Sequence, residues 1–149
     1  MNRYPTRSTH QSSFFDALDR YQCDPGNRTW FYVPYDQLNM EFEHLQALRS
    51  DTLGLVFCES LHRGRERPYH KQKLGTLLVS QRHFALEQAA QGVAVRYLVG
   101  AGSYADQLRS AIQTLGPLRV LRLLVSECWV LRTLLHCVVS AVELNGNVA

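Results

Sequence analysis

The sequence predicts an α/β fold: a Rossmann-like parallel sheet of about four to five strands with helices on both faces. Three observations carry this prediction. Short β-branched and aromatic runs alternate with longer runs whose apolar residues recur at helical spacing, a rhythm that implies right-handed βαβ units. Several helical runs are bounded by cap-type residues such as Asn39, Gly92, Ser103 and Gly116. Finally, 149 residues at 46% hydrophobic and 19% charged can bury one core of ordinary domain size.

The elements follow in order. Residues 1 to about 28 are polar and turn-rich and end in "DPGNR", which predicts a flexible N-terminal arm with one helical turn near Phe14 to Leu18. "TWFYVP", Thr29 to Pro34, is aromatic and β-branched with a proline stop and predicts the first strand; "TLGLVFCES", Thr52 to Ser60, predicts the second. Between them "NMEFEHLQALRS" predicts a short helix from Asn39, with Phe42, Leu45 and Leu48 at helical spacing.

The next helix is the clearest. Leu74, Leu77, Leu78, Phe84, Ala85 and Ala89 fall mainly on one side of a helical wheel, Lys73, Thr76, Ser80, His83 and Glu87 on the other, and Gly92 stands where a left-handed residue ends a helix. "VAVRYLV", Val93 to Val99, predicts the third strand. A helix from Ser103 to a stop at Gly116 and a fourth strand over Leu118 to Val125 complete the pattern.

Composition narrows the function. A net charge of +3 makes the chain no polycation, so anion binding must come from local clustering. Cys23, Cys58, Cys128 and Cys137 form no C-x-x-C pair, which supports neither a zinc site nor a disulfide framework and predicts reduced thiols. The amino terminus has no apolar signal core, and no apolar stretch approaches the roughly 20 residues of a membrane helix. A cytoplasmic protein without a membrane partner is the expectation.

In open parallel sheets, ligands lie beyond the carboxyl ends of the strands. That rule gathers Asp36 and Gln37 after the first strand, Glu59 at the end of the second, and the segment "HRGRERPYHKQK" with Arg63, Arg65, Arg67, Tyr69, His70, Lys71 and Lys73. The cations are either an anion site at a helix start or a solvated basic loop paired with Glu59 and Glu66. No Walker-type or G-x-G-x-x-G motif follows the first strand, and "VGAGSYAD" offers glycines only after the third. His70 with Glu59 is a candidate acid–base pair, but no motif poises a nucleophile, so no catalytic residue is assigned.

Four blocks, "WFYVPYDQLN", "GLVFCES", "RPYHKQKL" and "RHFALEQAAQGVAVRYLVG", resemble in order and spacing the N-terminal domain of the deoxyribodipyrimidine photolyase-related family, the bacterial iron–sulfur cryptochrome/photolyase proteins. The resemblance covers about residues 29 to 120. It implies an α/β antenna domain that precedes a larger helical domain holding flavin adenine dinucleotide and a 4Fe-4S cluster, in proteins that repair DNA or sense blue light. It further implies a ribityl-lumazine chromophore held by Asp36, Gln37, Glu59, Tyr69, His70 and Lys73. Because the flavin domain does not follow, the expectation is a truncated antenna-domain fragment, not itself a DNA photolyase. Residues 121–149 are expected to be a divergent tail, out of frame or a final helix, and the exposed docking face to promote self-association. The alternative is a small basic α/β module that holds nucleic acid phosphates with Arg63, Arg65, Arg67, Lys71, Lys73 and Arg82, without catalysis.

Overall fold

The computed structural model describes residues 9–35, 38, 48–66, 70–115 and 122–123, with the side chains of 9–12, 63, 64, 66, 122 and 123 outside that description. The element order is α1 (Thr9–Asp19), β1 (Thr29–Tyr32), β2 (Leu53–Ser60), α2 (Leu61–Glu66), α3 (Lys71–Ala90), β3 (Ala94–Gly100), α4 (Tyr104–Thr114) and β4 (Arg122–Leu123). The four strands form one sheet of order β3-β2-β1-β4, and every neighbouring pair is parallel. This is the predicted α/β architecture. The helix expected from Asn39 lies outside the described residues.

Alternation along the strands builds two cores. Phe31 and Val33 of the β1 segment, with Leu53, Leu55 and Phe57 of β2, face the side that α1 and α3 cover, where Phe14, Ala85 and Tyr97 join them. Trp30, Tyr32, Val56 and Cys58 face the opposite side, against Leu108 and Ala111 of α4. β2 is buried along almost its whole length, as a central strand covered on both faces must be. Gly54 in that strand makes room for Trp30: a Cβ there would sit 2.5 Å from the indole Cδ2.

At the amino ends of the strands Arg28 acts as a clasp. Its Nη1 donates to the carbonyls of Ser50, Leu53 and Gly92, tying together the turn before β2, the first residue of β2 and the turn before β3. Gly92 has φ of +87°, the left-handed residue expected after α3, and it donates its N–H to Ala89.

One expectation needs correction, and one helix needs a finer description. The polar amino-terminal segment is not an arm with a single turn over residues 9–19: α1 is an 11-residue helix, and Phe14 is buried edge-on against Tyr97 with ring centroids 4.7 Å apart. Phe14 and Phe15 are adjacent, and their rings give a short polar helix enough apolar area to dock. The apolar stripe of α3 also changes role midway. Gln81, Ala85, Gln88 and Ala89 are its buried residues, whereas Leu74 is exposed and Leu77 and Leu78 are half-buried. The first two turns of α3 overhang the sheet, and their leucines face a pocket.

Candidate strand-end pocket

That pocket, of about 280 Å³, lies at the carboxyl ends of β1 and β2. Leu61 from α2 and Leu74, Leu77 and Leu78 from α3 make it apolar. Cys58, Glu59 and Ser60 enter from β2, Gln81 and Lys73 from α3, and Tyr35 and Tyr104 flank it. The position follows from the topology, since parallel strands deliver their carboxyl ends, and the starts of the helices that follow, to one edge. A second cleft, of about 460 Å³, opens at the opposite edge near Tyr21, Cys23, Trp30 and Arg96. Although larger, it stands at the amino ends of the strands and lacks the leucine wall.

Glu59 is the polar centre behind the strand-end pocket. Its side chain is only 5% exposed and receives a two-pronged bond from Arg82, Nε to Oε1 at 2.6 Å and Nη2 to Oε2 at 2.8 Å. Tyr97 Oη donates to Oε1 as well. Phe14 closes the arrangement, its ring 5.3 Å from the Arg82 guanidinium carbon. The bond to Glu59 raises the Arg82 pKa. Burial, reinforced by the Glu59 bond and charge, raises that of Tyr97. Burial also pushes the Cys58 thiol up to about 12, so at neutral pH Cys58 is an inert small apolar group.

Two glutamines fasten the end of β2 from opposite faces. Gln81 Nε2 donates to the Cys58 carbonyl at 3.2 Å, and Gln107 Nε2 donates to the Glu59 carbonyl at 2.9 Å. Both side chains are buried. They fix the height and direction at which Ser60 and Leu61 enter the pocket.

Of the six residues expected at the site, Glu59 and Lys73 both line the pocket. His70 stands at the N-cap of α3, exposed, with no side-chain bond to the helix. Asp36, Gln37 and Tyr69 lie outside the described residues. Glu59 and His70 do not form a hydrogen-bonded acid–base couple: the Glu59 carboxylate accepts from Arg82 and Tyr97. Arg82 likewise leaves the set of solvent-facing cations. Of the remaining cations, Arg65 on α2 and Lys71 and Lys73 on α3 are exposed; Arg63 stands on α2 with its side chain outside the description, and Arg67 lies outside the described residues.

The glycines of "VGAGSYAD" form a capped connection. Ser103 Oγ accepts from the Asp106 N–H, and the Asp106 carboxylate accepts from the Ser103 N–H, a capping box that places a protein carboxylate at the start of α4. The Ser103 bonds hold the Asp106 carboxyl below its ordinary range. Sequence reasoning missed the Arg82–Tyr97 clamp and the two glutamines. Tyr97 and Glu59 were readable as facing the same side of adjacent strands, but Arg82 reaches them across a helix-to-sheet contact that has no fixed sequence offset.

The described residues define an open, Rossmann-like α/β domain with its main apolar pocket at the strand carboxyl ends. A family model, deoxyribodipyrimidine photo-lyase-related protein, matches residues 31–148. The chain belongs to that family. The match runs through the tail from 121 that the four sequence blocks did not reach. A (6-4) photolyase of Agrobacterium fabrum (strain C58 / ATCC 33970) is 30% identical over 90 residues. The aligned stretch is 57% of this chain and 18% of that photolyase, so the similarity spans under a fifth of the relative's length. Among the described residues no helix is long and apolar enough to cross a membrane.

Proposed function

We propose that this α/β domain is the antenna-chromophore module of a photolyase-related protein, and that the strand-end pocket takes a ribityl-lumazine. The observation that carries the reading is the pocket's construction: a leucine wall on α2 and α3 opposite polar groups on β2 and at the start of α3. A flat bicyclic ring can lie against Leu74, Leu77 and Leu78, and a polyol tail can exchange hydrogen bonds with Ser60 and Lys73. When bound, such a group supplies visible-light absorption. The protein's own residues do the rest. The leucines exclude water from one ring face, Gln81 and Gln107 hold the end of β2 in place, and Arg82 and Tyr97 keep Glu59 from leaving an uncompensated charge beside the ring.

Flavin, an iron–sulfur cluster and DNA repair or light sensing are, on this reading, not functions of this domain, whose own task is light capture. A fluorescence titration of the purified chain with ribityl-lumazine tests the proposal. Saturable binding that Leu77→Arg abolishes, with the thermal melt unchanged, supports it. Absence of binding, or equal binding by Leu77→Arg, refutes it.

A further inference from the structure

Phe14, Phe15 and Leu18 pack α1 onto the domain, and the two rings converge on one charge. Phe14 lies 4.7 Å from the Tyr97 ring and 5.3 Å from the Arg82 guanidinium carbon, and Phe15 lies 6.2 Å from Tyr97. Tyr97 and Arg82 both donate to the Glu59 carboxylate, Arg82 at 2.6 and 2.8 Å. Glu59 in turn lines the strand-end pocket, to which α1 contributes none of the described lining residues. One carboxylate thus joins a surface helix to a pocket built by other elements.

We propose that α1 is a latch coupled to the strand-end pocket: occupancy of the pocket and docking of α1 stabilise each other through the clamp of Glu59, Arg82 and Tyr97. The proposal rests on the reading of the pocket as a chromophore site and gives that site a readout at the surface. A helix anchored by two rings opens at a lower free energy than the buried sheet beneath it. With α1 docked, Phe14 covers the guanidinium, and the Glu59 charge stays compensated beside the leucine wall. With α1 lifted away, water reaches Arg82 and Tyr97, the Arg82 side chain regains rotamer freedom, and the clamp loosens. An apolar ring in the pocket then faces a less compensated carboxylate, so it binds the docked arrangement more tightly. The reverse is obligatory: a bound ring favours docking by the same factor.

Amide hydrogen exchange of the 149-residue chain, without and with saturating ribityl-lumazine, reads the coupling. The amides of Ser13 to Asp19 should exchange through local opening, faster than those of Leu55 to Phe57, and should slow about fivefold on saturation. Those of Ile112 to Thr114, at the far end of α4, are the control and should not change. Phe14→Ala, which frees α1, should weaken ligand binding by about the same factor in a fluorescence titration. The wild-type exchange rates decide alone if that variant does not fold. Unchanged exchange of Ser13 to Asp19 at saturation, or wild-type affinity in folded Phe14→Ala, overturns the latch and leaves the chromophore pocket standing. Failure of the ligand to bind the wild type overturns both.

Discussion

Arg82→Met removes the guanidinium from the Glu59 clamp while keeping most of the apolar stem that packs beneath Phe14. Breaking a fully buried ion pair by deleting one partner costs about 3–5 kcal/mol, because the other charge stays buried without compensation. Here Glu59 is 5% exposed but Arg82 is 23% exposed, so water can reach part of the vacated space. Tyr97 also keeps its bond to Oε1. The expected loss is therefore about 2–3 kcal/mol, a large share of the stability of a domain this size. Urea unfolding followed by tryptophan fluorescence measures it, since Trp30 is buried in the sheet. Adding Glu59→Gln to Arg82→Met removes the stranded charge and should recover about half of the loss, a coupling visible in a double-mutant cycle. A single variant within about 0.5 kcal/mol of wild type, or strictly additive losses, would refute the clamp as an energetic unit.

Phe14→Ala should cost about 3 kcal/mol by removing a buried ring in contact with Tyr97, Phe15 and Arg82; a free amino-terminal arm would show almost none of this loss in the same unfolding assay. Stability should fall as pH rises above about 8.5. Burial keeps the Cys58 thiol and the Tyr97 phenol protonated in the fold after the unfolded chain has begun to release these protons, near 8.5 and 10. Tyr97→Phe should flatten the upper part of that decline in urea midpoints taken between pH 8 and 11, and an unchanged slope would count against it. Gly54→Ala should cost about 1–3 kcal/mol, because the new methyl meets Trp30 carbons at 2.5, 2.6 and 2.9 Å and the indole is packed against Val56 and Ala94; an unshifted melting temperature would show that the indole gives way freely.

The fold was legible because its signals are local. β2 announces itself as a continuous apolar run, Gly92 stands where the chain must turn left-handed, and Ser103 with Asp106 writes out a capping box. α1 was underestimated because its surroundings are polar and its anchorage is two adjacent rings, whose burial depends on Tyr97 more than 80 residues away. The strand-end location of the pocket followed from topology, and Glu59 and Lys73 line it. Their division of labour was not visible, since it depends on Arg82, which lies on α3 at the height of the β2 end. The surroundings of the α3 leucines were not legible for a similar reason: a helical wheel shows which residues share a side, not where the sheet beneath that side ends.

The central claim is that the strand-end pocket, and not the larger cleft at the amino ends, is where the chromophore binds. Amide chemical-shift mapping of the isotopically labelled chain with added ribityl-lumazine tests it most directly. The account predicts saturable shifts concentrated at Cys58 to Leu61 and Lys73 to Gln81, with Tyr21 to Gly26 and Ala94 to Arg96 unmoved. Shifts centred on that second set, or none at all at saturating ligand, would contradict it.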